Sequence, residues 1–167
     1  MRFRRSLGRS LLAVGMTTPL LASLAISAPA FANWEWRLKN GNNRCLGVTA
    51  SGYIGQWPCT WNADQVWHYD TDDHLFNRNN DCIRRQHGRN QQGEQLVTFG
   101  QDDCVRWTAV RGESNFTDED SQDWSLVLAI YGGHANSGAG ATLWAWNGNP
   151  DQVWQTEDAD GHPPTNS

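Results

Sequence analysis

The chain has 167 residues and ten Trp, and its 13 Lys+Arg against 18 Asp+Glu give a net charge of −5. An acidic surface repels phosphate backbones and anionic headgroups, which excludes nucleic acid and anionic membrane as natural partners. Four Cys, none closer than the 14 residues between Cys45 and Cys59, argue against a zinc site built on close Cys pairs, and no metal or cofactor is expected.

Residues 1–32 read as a signal peptide. Arg2, Arg4, Arg5 and Arg9 form a basic start, residues 11–26 are mostly apolar though diluted by Thr17, Thr18 and Pro19, and Ala30-Phe31-Ala32 fits an A-x-A cleavage site. A membrane anchor is the competing reading, but the apolar core is short and interrupted. Arg4-Arg5 hints at twin-arginine export; the rest of that motif is weak, and the general route to a secreted protein is favoured. Removing the four leader Arg leaves 9 Lys+Arg against 18 Asp+Glu, a charge of −9, with all ten Trp in the remaining 135 residues. Trp is large, so ten of them must fill a core or line binding faces.

The mature part, a single domain by length over 33–156, is internally repeated. Residues 57–67 and 144–154 agree ungapped at six of eleven positions, each ending in Asp-Gln-Val-Trp at Trp67 and Trp154. A degenerate third ending is Val105-Arg106-Trp107. Upstream, residues 38–46 align with 75–83, sharing Leu, three Asn and Cys. Three units of about 34–70, 71–110 and 111–156 follow. In each, short apolar runs alternate with Asn, Gly and Asp clusters, and no helical stripe persists for three turns. Units of about 40 residues cannot bury a core alone, so they must close around a shared axis as an all-β barrel.

Within this plan the third unit's opening strand is not evident. Residues 111–123 read as an acidic, solvated insertion; Asp118, Glu119 and Asp120 lack the spacing of a calcium loop. Asn115-Phe116-Thr117 is a glycosylation sequon. Trp124 reads as a strand residue, and residues 157–167 as a polar tail. In an exported chain an even Cys count points to disulfides. Of the three possible pairings, Cys45–Cys59 and Cys82–Cys104 are chosen because each closes one unit internally.

The Gln-x-Trp endings, the Cys-Leu-x-Val start and the Trp-x-Cys middle resemble the ricin B-chain-type β-trefoil lectins and related carbohydrate-binding modules, over residues 34–156. The resemblance implies a six-stranded barrel capped by three hairpins, with one potential sugar site per unit. It also implies that Trp67, Trp107 and Trp154 are core, and that the Gln of each motif satisfies nearby backbone. A sugar site of this kind needs a stacking aromatic, an Asp at the third position of the Cys-Leu-Asp-Val stretch and a polar residue before the Gln. Trp57 and Trp144 match the aromatic, and Asp64 and Asp151 the last position. The third position is Gly47 in the first unit and Ala129 in the third. In the second unit Arg84, Val97 and Val105 occupy the site positions, so that unit reads as scaffold. The third unit is the best candidate, with Trp144, Asn149, Asp151 and Gln152 joined by His134 and Asn136 as substitutes for the lost Asp. Trp57, Asn62, Asp64 and Gln65 are the weaker set.

Two functions from different classes fit this reading: a secreted glycan-binding module, and a protein-binding trefoil with decayed sugar sites, such as an inhibitor or toxin-associated subunit. The sequence carries no Ser-His-Asp order in a recognisable turn, no His cluster and no placed carboxylate pair, so no enzyme is expected.

Overall fold

The computed structural model describes residues 35–99, 103–109, 115–120 and 126–158. The stretch read as a signal peptide, Trp124 and most of the tail lie outside them. The described chain folds into twelve short strands, four to a unit: β1 (Arg37–Asn40), β2 (Cys45–Val48), β3 (Ile54–Trp57), β4 (Trp67–Tyr69), β5 (Leu75–Asn77), β6 (Arg84–Arg85), β7 (Leu96–Val97), β8 (Trp107–Ala109), β9 (Phe116–Asp118), β10 (Leu126–Ile130), β11 (Ala141–Ala145) and β12 (Trp154–Glu157). The second and third strands of each unit form an antiparallel hairpin: β2 with β3, β6 with β7, β10 with β11. The first and fourth strands make the barrel. β4 pairs with β5, β8 with β9 and β12 with β1, while single bridges Trp36–Trp67 and His74–Arg106 join β4 and β8 to the starts of their own units. This is a β-trefoil, stapled by two disulfides, Cys45–Cys59 and Cys82–Cys104, each closing a loop within its unit.

The threefold repeat is visible in the core. Leu38, Leu75 and Phe116 are equivalent, as are Leu46, Ile83 and Leu128, and all six are buried. Trp67, Trp107 and Trp154 belong to the same core at 0%, 1% and 2% exposure, the burial that the repeat predicts for its terminal Trp. The Asn-rich turns are equally regular. Asn40 Oδ1 accepts from the N–H groups of Asn42 and Arg44, and Asn77 Oδ1 from those of Asn79 and Asp81. Both turns place an Asn in the left-handed region, Asn43 at φ 58° and Asn80 at φ 67°, a conformation that Asn tolerates because its short side chain bonds locally.

The third unit corrects the sequence reading. Its opening strand is β9, inside the stretch taken as a solvated insertion. Asp118 occupies the place of Asn40 and Asn77, accepting from the Asp120 N–H, and is fully buried. It is acidic because Arg85, which stands where the other units have Val48 and Ile130, is also buried and donates to it at 2.8 Å. Asn115 of the sequon is buried as well, leaving no room for a glycan in this fold. At the other edge, β12 runs one residue beyond 156, because Arg37 and Lys39 of β1 both hold the Glu157 carboxylate at 2.9 Å across the closing seam.

Candidate functional site

The two intact Gln-x-Trp motifs work as clamps. Gln65 Oε1 accepts from the Thr60 N–H at 2.7 Å and its Nε2 donates to the Pro58 carbonyl at 3.1 Å; Gln152 repeats this with Asn147 and Ala145 at 2.7 and 2.9 Å. Each motif Trp donates its indole N–H to the β2-type strand, Trp67 to Leu46 O at 3.1 Å and Trp154 to Leu128 O at 2.9 Å. Gln65 and Gln152 therefore come off the list of ligand contacts: both are buried and their amides are occupied by backbone. A tight turn precedes each clamp, closed by Gln65 N–H to Asn62 O and Gln152 N–H to Asn149 O, both at 2.9 Å. That turn sets the residue before Gln, Asp64 or Asp151, at the mouth of a cavity.

In the third unit the cavity measures about 260 Å³ and is lined by Ile130, Gly132, Gly133, Trp144, Asn147, Asn149 and Asp151. Strand β11 presents Trp144, half-buried, opposite the turn that carries Asn147 and Asn149. Asp151 is buried to 4% exposure; its Oδ2 accepts from the Ile130 N–H at 3.4 Å, and a Cβ on Gly133 would stand 3.5 Å from Oδ1. Burial pushes the Asp151 carboxyl above the usual aspartate range, partly offset by the Ile130 N–H. Ala129 brings no carboxylate to this cavity; Asp151, bonded to the adjacent Ile130 N–H, does. The arrangement joins an aromatic face to convergent acceptors and amides, which suits a polyol with an apolar face.

His134 and Asn136 do not fill the place expected of them. Both side chains are exposed and neither lines the cavity; their backbone carbonyls instead accept from Gln56 Nε2 at 2.6 and 2.8 Å, which pins the β10–β11 loop to the first unit.

The first unit is built differently. A Cβ on Gly47 would stand 2.9 Å from Gln65 Cγ and 3.0 Å from Trp57 Cδ1, so Trp57 lies over the spot where an acceptor would project. Its far edge rests against Gly138, and its indole N–H is buried without a partner among the described residues. Asp64 faces a separate cavity of about 410 Å³, shared with Val48, Thr49, Gly52, Asn79, Asp81 and Thr98, to which Trp57 contributes nothing. Asn62 is exposed outside it. Trp57 Cδ1 and Asp64 Oδ2 do meet over Gly47, 3.0 and 3.2 Å from where a Cβ there would stand, but Trp57 does not line the cavity that Asp64 faces.

In the second unit Val97 is not the equivalent of Trp57. Cys45 pairs with Trp57 and Val127 with Trp144, and the Arg84–Val97 register places Phe99 opposite Cys82. Counting back ten residues from Trp107, as the other units suggest, lands on buried Val97 because this unit's final loop is two residues shorter. Phe99 is 49% exposed, edge-on to Tyr53. Tyr131, edge-on to Trp144 at 6.3 Å, belongs to none of the repeated motifs. Only its position in the turn after β10 could have signalled it.

The fold is a β-trefoil, and it is similar to the trefoils of solved ricin B-like and R-type lectins. Three solved structures show the likeness: the C-half of an earthworm R-type lectin in complex with GalNAc (20% identity, TM-score 0.60, covering 74% of this chain and 98% of that one), the ricin B-like lectin of Macrolepiota procera in complex with lactose (16%, 0.62, 74% and 94%), and the designed threefold-symmetric protein ThreeFoil (14%, 0.60, 73% and 96%). At these identities the likeness is one of fold. No family model matches the sequence and no curated protein matches it.

Proposed function

We propose that the chain is a secreted, non-catalytic glycan-binding module whose working site is the third unit. The observation that carries this is the placement of the Asp151 carboxylate and Trp144 in one cavity, with Asn147 and Asn149 beside them. The indole stacks on the C–H face of a pyranose, Asp151 accepts from its hydroxyls, and the two amides fix orientation. Structures of this fold that hold GalNAc and lactose support a saccharide as the ligand. Two disulfides and the A-x-A leader support export to an oxidising compartment.

The test is to titrate galactosides, N-acetylhexosamines, glucosides and xylosides into the mature protein, Trp144→Ala and Asp151→Asn. Wild type binds at least one sugar. Trp144→Ala abolishes binding, and Asp151→Asn weakens it by about 10- to 100-fold, the loss of a charge-assisted bond of roughly 1.5–3 kcal/mol. Equal binding by Trp144→Ala would rule out the third-unit site. If no saccharide binds, the protein-binding reading takes its place, with the exposed Tyr53–Phe99 pair as the surface to examine.

A further inference from the structure

The Trp144 cavity has a neighbour. A second cavity, of about 270 Å³, is lined by Gly93, Gln95, Tyr131, Gly140, Ala141 and Thr142. The ridge between the two is the aromatic pair: Trp144 lines the first, Tyr131 the second, and the rings meet at 90° with centroids 6.3 Å apart. Gly93, from the second unit's hairpin, belongs to the second cavity and also approaches Trp144, since a Cβ there would stand 3.8 Å from Cζ3. Its positive φ of 86° keeps that wall low. Tyr131 is 59% exposed, so a large ring stands in water at the junction of two hollows. Each cavity alone falls below the range of about 300–1,000 Å³ typical of ligand pockets, and together they fall within it.

We infer that the two cavities form one cleft for a glycan chain of at least two sugars, with the first residue on Trp144 beside Asp151 and the next over Tyr131 toward Gln95. This rests on the third unit being the sugar site, and it adds the length of the ligand. The second hollow holds no carboxylate. Its polar contribution is the Gln95 amide, whose Nε2 lies 3.6 Å from where a Cβ on Gly140 would stand. Thr142 Oγ1 already bonds the Glu94 carbonyl. Contact there is therefore mostly with sugar C–H faces, which adds affinity to a chain already anchored at Trp144 and holds a free monosaccharide poorly.

The experiment is calorimetric titration with the mono-, di-, tri- and tetrasaccharide of each homologous series that binds, on wild type, Tyr131→Ala, Gln95→Ala and Trp144→Ala, with thermal melts to confirm folding. The readout is the ratio of trisaccharide to monosaccharide affinity. In wild type it is at least tenfold. Tyr131→Ala brings it close to one, Gln95→Ala lowers it without touching the aromatic pair, and Trp144→Ala loses ligands of every length. Equal affinity for all lengths in wild type, or an undiminished ratio in Tyr131→Ala, overturns the two-sugar cleft and leaves the Trp144 site standing. Absence of binding at any length overturns both.

Discussion

Asp151 and Trp107 show how single residues separate the three units. Asp151 is an acid held in a buried place, and its raised pKa has two opposite consequences. For the fold, the stabilising contribution of this group is present below its unfolded pKa, near the ordinary 3.8, and is lost as pH rises through the folded value. For the ligand the order reverses, because the ionised form is the stronger acceptor. Sugar affinity should fall on acidification at a pH above 3.8, while Asp151→Asn stays flat over the same window; parallel pH titrations of the two proteins check this. Trp107 is buried like Trp67 and Trp154, yet its indole N–H has no partner among the described residues. The reason is local. The Val105 N–H bonds Ile83 O at 2.8 Å, taking the acceptor that the indole uses in the other units, since Val105 has neither a Gln amide nor the turn that goes with it. Trp67→Phe and Trp154→Phe should each cost about 1 kcal/mol more than Trp107→Phe, because they alone strand a buried carbonyl. Denaturant melts of the three variants measure the difference. The terminal Trp residues and their burial were legible in the sequence because burial follows the repeat. The orphaned indole was not, because it depends on which backbone donor reaches one carbonyl.

Among elements, the hairpins and the strands that open each unit carry the divergence. Each hairpin's left-handed glycine meets the aromatic of the next unit: Gly52 meets Phe99, Gly93 meets Trp144 and Gly138 meets Trp57. The cap is thus cyclic, and each unit's site has a wall supplied by its neighbour. An ungapped repeat alignment cannot show such contacts, which is why Trp57 read as a free platform and Val97 as an aromatic lost. Strand β9 was hidden for a related reason. Asn115-Phe116-Thr117-Asp118 has one large apolar residue and ends in an acid, so it reads as loop until Arg85, 33 residues earlier, is placed against Asp118. The pair is a coupled replacement of Val48 and Asn40 in the first unit. Arg85→Val should destabilise by about 3–5 kcal/mol by leaving the buried carboxylate without its main partner. The double change Arg85→Val with Asp118→Asn, which copies the first unit, should recover most of that. Costs in the double variant that equal the sum of the single ones would show that the two side chains act independently.

At the scale of the whole molecule, three copies of one unit have diverged in three ways. The second carries Arg84 where the others have Gly47 and Ala129, and Cys104 of a disulfide where they have Asp64 and Asp151. The first has folded its aromatic over Gly47, and the third keeps an open cavity. The trefoil and its disulfides were legible in the sequence, the first through the resemblance carried by the Gln-x-Trp endings and the second because each Cys pair falls inside one unit. The sequence also named Asp151 but not its setting: the turn before Gln152 folds its carboxylate against the Ile130 N–H and into the cavity, while His134 and Asn136 do not line it. The most direct measurement is an NMR titration of the indole N–H resonances with a bound saccharide. The Trp144 resonance should move in proportion to saturation while those of Trp57, Trp67 and Trp154 hold still. Movement of Trp57 with Trp144 unchanged would place the site in the first unit and contradict the account.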